Sequence, residues 1–281
     1  MAGILFAGRW HFTSTCMKHL IPFAKSEPLV AVIRLAGSIG GTSRSQLNDE
    51  TLGPVIDKAF KKSKPAAVAL VINSPGGSPV QSSLIAARIR RLAEEHAVPV
   101  HAFVEDVAAS GGYWLAIAAD DIWVDRGSIV GSIGVISAGF GAPVLLARQG
   151  IERRVHTSVK SKSMMDPFLP EKKEDVARLK QILEQMHEGF VEYVLSRRGD
   201  KLTDRKDIFT GEFWLGRRAI ELGLVDGEAH IMPKLKELYG EKVRIRNYGR
   251  RRSLINMFGA SLANDAVATI EERANFARYG L

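Results

Sequence analysis

Cysteine occurs once in these 281 residues, at Cys16, which excludes an intrachain disulfide framework and a cysteine-based metal site. No run approaches the roughly 20 apolar residues that a membrane-spanning helix needs. The best two, Leu29 to Leu35 and Ala66 to Ile72, are short and strand-like. Met1 to Gly8 is apolar, but no positive region precedes it and no small-residue cleavage site follows, so neither a signal peptide nor a transmembrane anchor is expected. Low-complexity segments and fixed-period repeats are missing. No cluster of His, Cys and carboxylates suggests a metal, and no cofactor is expected. Acid is in deficit: 31 Asp and Glu face 39 Lys and Arg, a formal charge of +8. The excess sits in patches, Lys58 to Lys64, Arg148 to Arg154 and Arg244 to Arg252. Such patches attract nucleic acid or anionic lipid. No nucleic-acid motif accompanies them and no aromatics are interleaved, so the patches read as solvated surface charge with some peripheral membrane contact, and nucleic acid is not an expected partner.

What is present is a regular alternation of strand and helix. Leu29 to Leu35 is β-branched and nearly all apolar, as a strand buried on both faces is. Residues 47–63 place Leu52, Val55, Ile56, Ala59 and Phe60 at helical spacing. Ala66 to Asn73 reads as a second buried strand, followed by a turn and a helix over 79–96. Val98 to Val104 is a third strand and Asp121 to Asp125 a short fourth. Residues 171–198 read as a long helix with Val176, Leu179, Ile182, Leu183, Met186 and Phe190 on one stripe. Strands separated by helices predict an α/β domain with largely parallel pairing. Three regions follow: an arm over 1–27, an α/β domain over 28–248, and a basic amphipathic helix over 249–281, where Ile255, Phe258, Leu262, Ala266 and Ile270 recur three or four residues apart.

Two glycine-rich turns stand beyond predicted strands, Asn73-Ser74-Pro75-Gly76-Gly77 and Ala108-Ala109-Ser110-Gly111-Gly112. Ligand sites of α/β sheets collect past the carboxyl ends of strands, and glycine lets main-chain N–H groups approach a ligand closely. Ser110 opens a predicted helix over Gly111 to Ala119. An isolated serine there is ordinarily an N-cap. The same place sets its hydroxyl beside free N–H groups, where an oxyanion is stabilised.

These two turns, followed by Gly131-Ser132-Ile133-Gly134-Val135, Phe209-Thr210-Gly211 and Ala219-Ile220-Glu221-Leu222-Gly223-Leu224-Val225-Asp226, resemble the signal peptide peptidase A (protease IV) family in order and approximate spacing. The resemblance runs over residues 28 to about 230. It implies the Clp protease/crotonase fold, a spiral of β-β-α units with a mostly parallel sheet and flanking helices. It also implies peptide hydrolysis by a Ser/Lys dyad and assembly into a homo-oligomer. By position, Ser110 matches the nucleophile and Lys162, 52 residues downstream, the general base, with Lys160 as competitor. Val159 or a neighbour replaces a glycine usual before that lysine. Ser132 matches the serine that orients the amine, and Gly77, Gly76 and Gly111 the oxyanion hole.

A hydroxyl attacks only when a base takes its proton, and lysine is a base only when neutral, against an ordinary pKa of about 10.4. The folded site or a subunit contact is therefore expected to desolvate Lys162. A histidine base is not supported: Val135 stands where a Clp-type histidine would fall, His96 and His101 precede the nucleophile, and His156 has no motif. The expected substrates are signal peptides or other hydrophobic peptides, and the expected location is bacterial, cytoplasmic or at the membrane periphery. Two alternatives keep the fold: a crotonase-like acyl-CoA enzyme relying on Glu105 and Asp106, and an inactive oligomeric scaffold.

Overall fold

The computed structural model describes residues 27–40, 46–62, 64–203, 206–249 and 273–281. The predicted arm over 1–27 lies outside these, apart from its last residue. So do Arg250 to Arg252 and the apolar stripe Ile255 to Ile270.

The elements run β1 (Leu29–Ala36), α1 (Asp49–Lys61), β2 (Ala67–Ser74), α2 (Pro79–His96), β3 (Val100–Ala109), α3 (Gly111–Ala116), β4 (Asp121–Val124), β5 (Ile129–Gly131), α4 (Pro143–Arg148), α5 (Lys173–Arg198), β6 (Phe213–Leu215), α6 (Gly216–Glu221), β7 (Gly227–Glu228), α7 (Ile231–Tyr239) and β8 (Arg244–Tyr248). One sheet takes the order β6-β5-β3-β2-β1-β8, with β4 beside β3 and β7 beside β4. All its pairs are parallel except β5–β6.

Both faces of the central strands are covered, which is why their sequences are apolar without interruption. Ala31, Ile33, Leu35, Leu70 and Ile72 point to a core shared with α1, α2 and α3. Val30, Val32, Ala69, Val71 and Phe103 point to the opposite layer, where Leu235 of α7 closes over them. In α2, Ile85, Ala86, Ile89, Leu92 and Ala93 are buried at helical spacing. Each fully buried Ile or Leu contributes about 1.5–3 kcal/mol relative to exposure. Capping fixes where helices begin: Asn48 accepts from Thr51 N at 2.9 Å ahead of α1, and Ser78 precedes Pro79 at the start of α2.

The strand β3 carries two partners on one side. His101 to Val104 pair with β4, and Val107 to Ala109 pair with β5. Glu105 and Asp106 fall between. The buried Ser128 bridges the fork, its hydroxyl donating to Glu105 O at 2.5 Å and accepting from Asp125 N at 3.0 Å. The fork matters for function because it brings the ends of β2, β3 and β5 to one rim.

The stripe expected along α5 is only partly buried. Phe190, Val194 and Arg198 are covered, whereas Met186 is 44% exposed and Val176, Leu179, Ile182 and Leu183 are half-exposed. The carboxyl half is held because Trp114 of α3 stacks on Phe190 and Tyr193, with ring centroids 4.6 and 5.2 Å apart. The amino half has no such layer against it among the described residues. No helix among the described residues is long and apolar enough to cross a membrane.

Candidate active site

Ser110 follows the last residue of β3, between that strand and α3. Its backbone lies at φ 52°, ψ −120°, a region costly for any residue with a Cβ. A capping serine sits in extended backbone and bonds an early helix N–H; Ser110 does neither. Two main-chain bonds hold the turn, Ser110 N to Gly131 O at 2.8 Å and Trp114 N to Ser110 O at 3.0 Å. The hydroxyl is thereby left half-exposed at the rim of a cleft of ≈ 970 Å³. Strained exposure of a serine at a strand-to-helix turn is how a nucleophile is presented above a sheet.

The glycine turn after β2 lies against it. Gly76 and Gly77 have φ of 98° and 144°, open to glycine and costly for other residues. Ile39 crosses this turn as a strap: Ile39 N donates to Gly76 O and Ser78 N donates to Ile39 O, both at 2.8 Å. The strap leaves no room at Gly77, where a Cβ would run into the Ile39 carbonyl. At Gly111 a Cβ would meet the buried Ser82 hydroxyl and come within 3.3 Å of Gly77 N. The Gly77 and Gly111 amides are thus close neighbours, and neither has an acceptor among the described residues. Gly76 differs. Its N–H donates to Ser74 Oγ at 3.3 Å, so of the three glycines it is the one whose amide is already engaged.

Ser132 follows β5 and faces the same cleft, also at positive φ (52°). Its N–H donates to Glu212 O at 2.6 Å. Its hydroxyl lies 3.4 Å from the hydroxyl of Tyr279. Ser110, Ser132, Gly76 and Gly77 are therefore brought together by the ends of three neighbouring strands. Ala274, Asn275 and Arg278 complete the rim. No sequence signal marked these last residues, since neither Asn275, Arg278 nor Tyr279 belongs to the apolar stripe that defined the tail. Ile39 and Ser82 were likewise missed; the strap lies beyond the apolar run of β1, and Ser82 is an ordinary helix residue by pattern.

The lysines lie elsewhere in the single chain. Lys162 sits in a turn over 158–165, exposed, and is not among the residues lining the cleft. Among the described residues nothing covers it. Lys160 is bound to Glu174 at 2.7 Å, with both side chains mostly exposed. The Glu174 carboxylate raises the Lys160 pKa and so holds that amine in its charged form. The histidines fit no base role at Ser110. His101 is buried between Asp121 (2.8 Å) and Tyr239 (2.6 Å), and His96 and His156 are exposed. Glu105 and Asp106 line a separate cavity with Asp125 and His230, and they bond Arg34 and Asn73 rather than facing Ser110.

The sequence signature of Peptidase family S49 matches residues 93–238. A Brucella melitensis protein named Na(+)/H(+) antiporter NhaA is 45% identical over 94% of this chain, and the chain spans 39% of that protein's length. The Arabidopsis thaliana protein named serine protease SPPA, chloroplastic, is 31% identical over 70% of this chain and 30% of its own length. Among solved structures, the 1510-N membrane-bound stomatin-specific protease covers 80% of this chain and all of its own, with a TM-score of 0.50 at 15% identity. That last likeness concerns the fold alone.

Proposed function

The chain belongs to peptidase family S49, and from that premise we propose that it is a serine peptidase with Ser110 as nucleophile and Lys162 as general base. The observation carrying this reading is the strained, uncapped Ser110 beside two unclaimed amides, those of Gly77 and Gly111. The hydroxyl attacks a peptide carbonyl and its proton passes to the neutral lysine amine. The carbonyl electrons move onto oxygen, which the two N–H groups hold; one such donor is typically worth 10²–10³ in kcat. Collapse expels the amine, which takes the proton from the lysinium, and leaves an ester on Ser110. Water, deprotonated by the same lysine, hydrolyses that ester and restores the hydroxyl.

In this mechanism a second copy of the chain supplies the surface that removes Lys162 from water. Ser132 then turns the amine toward Ser110. The side chains of Ile39, Val135, Ile136 and Ala138 along the cleft suit hydrophobic peptides, with signal peptides as the substrate class the family suggests. The test is turnover of fluorogenic hydrophobic peptides by the purified chain, with Ser110→Ala and Lys162→Ala beside it. Each variant is expected to lose at least about a thousandfold in kcat. Unchanged turnover in either one would remove its residue from the dyad.

A further inference from the structure

We propose that Arg278 is a specificity-determining residue of this cleft and selects peptides carrying a carboxylate side chain near the scissile bond. The proposal rests on the peptidase reading of Ser110. Residues 273–281 are remote in sequence from the catalytic strands, yet they build one wall of the cleft. Residues 273–277 are helical and 278–280 form a turn, so Ala274, Asn275 and Arg278 face the same space as Ser110, Gly76 and Gly77.

The wall is anchored on both sides of Arg278. Tyr279 is only 9% exposed and packs with Val107 and Ala109 near the carboxyl end of β3 and with Ile129 of β5, with Phe276 beside it. Its ring meets Phe213 edge-on at 5.2 Å, and its hydroxyl lies 3.4 Å from Ser132 Oγ. On the other side, Asn275 Nδ2 donates to Ser38 Oγ at 3.4 Å. Anchors on either side place Arg278 on the wall of the cleft, which its side chain lines.

Charge makes the placement informative. Every other residue lining the cleft is apolar, a glycine, a hydroxyl or a neutral amide, so Arg278 is the one formal charge there among the described residues. It is exposed and has no ion-pair partner among the described residues. A planar guanidinium offers paired donors matched to a carboxylate. An acidic side chain on a bound peptide would meet its complement there, and a basic one would meet a like charge.

The experiment uses the full chain and quenched peptides identical but for Asp, Asn or Lys at one position on either side of the scissile bond. kcat/KM is measured for the parent, Arg278→Ala and Arg278→Glu at low and at about 1 M salt, with Ser110→Ala as the blank. At one position the parent is expected to prefer Asp over Lys by about fivefold or more, the factor for one exposed charge pair at contact. Arg278→Ala brings that ratio to about one, Arg278→Glu reverses it, and high salt collapses it in the parent. The inference is overturned by an equal ratio in all three proteins, or by a preference that survives 1 M salt. It is equally overturned by a uniform gain on every peptide in both variants, which would make the wall a cover over the cleft. Parent turnover no better than the Ser110→Ala blank would instead overturn the peptidase reading, and this inference with it.

Discussion

At the scale of single residues, Ser110, the proposed nucleophile, is set apart by backbone conformation more than by any contact. A residue with a Cβ held at positive φ costs about 1–3 kcal/mol, and Ser110 at φ 52° carries that cost to keep its hydroxyl clear of the helix it precedes. Glycine does not share the penalty, although it adds up to about 1 kcal/mol of chain entropy to the unfolded state. Ser110→Gly is therefore expected to be inactive and to melt no lower than the parent, with a gain of about 1 kcal/mol in urea unfolding. A loss of stability larger than about 1 kcal/mol would show that the hydroxyl has a structural duty the geometry does not reveal. Conformation of this kind is invisible in a sequence. The Ser-Gly-Gly run marked the place, because glycine-rich turns after apolar strands are legible. Whether the serine capped a helix or was held away from one depended on Gly131 O and Trp114 N, contacts made only after folding. The competing lysines illustrate the same limit: spacing favoured Lys162 without excluding Lys160, and only the structure shows Lys160 tied to Glu174.

At the scale of elements, β1, β2, α1, α2 and α5 were legible to within a few residues, since long apolar runs and helical stripes survive without tertiary context. The third strand was read only to Val104 because Glu105 and Asp106 interrupt its apolar run. In the fold those two stand at the fork between β4 and β5, where a charged pair is tolerated, and the strand resumes to Ala109. Strands of two or three residues such as β5, β6 and β7 carry too little pattern to be seen, though β5 delivers Ser132. The Leu222 to Asp226 motif gains a physical meaning from its partners. Asp226 bonds Arg198 and Lys201 at 2.6 Å each and accepts from Ile122 N at 2.8 Å, tying α5 and α6 to β4. Arg198 also donates to Gly223 O and is 4% exposed. Burial favours the protonated form of Asp226, but the Lys201 and Arg198 bonds outweigh it, and its pKa is lowered. The stabilisation is thus present above the unfolded carboxyl value near 3.9 and is lost as pH falls below it toward the folded value. Asp226→Asn leaves the Arg198 charge buried without compensation, and a loss of about 3 kcal/mol or more is expected in urea unfolding at pH 7. The gap between parent and variant is expected to narrow below about pH 4. A gap that stays constant from pH 7 to pH 3 would contradict the ion-pair account.

At the scale of the whole molecule, Ser110, Gly76 and Gly77 share one cleft, whereas Lys162, the base proposed above, lies exposed outside it. The segment bearing Lys162 leaves many large apolar side chains exposed among the described residues. Ile136, Phe140, Val144, Leu145, Ile151 and Val159 are between 56% and 97% exposed, and Lys162 follows Val159 by three residues. Soluble chains rarely leave so many large apolar groups in water unless a partner covers them. Symmetric homo-oligomers are the common solution, and a head-to-tail contact between copies places one surface of the chain against a different one. Such a contact would bury this segment, strip water from Lys162 and set it against the Ser110 of the next copy. The arrangement makes a demand on mixtures. Ser110→Ala keeps its lysine and Lys162→Ala keeps its serine, so each is inactive alone while a mixed assembly contains junctions with both. With random exchange at equal amounts, about one junction in four pairs a serine with a lysine from the next copy, and about a quarter of the parent's specific activity is expected to return. Dilution below the dissociation constant of the assembly should abolish activity in the parent and in the mixture together. A mixture no more active than its components, under conditions where the copies demonstrably exchange, would place both members of the dyad within one chain and require the 135–172 segment to fold back over its own cleft.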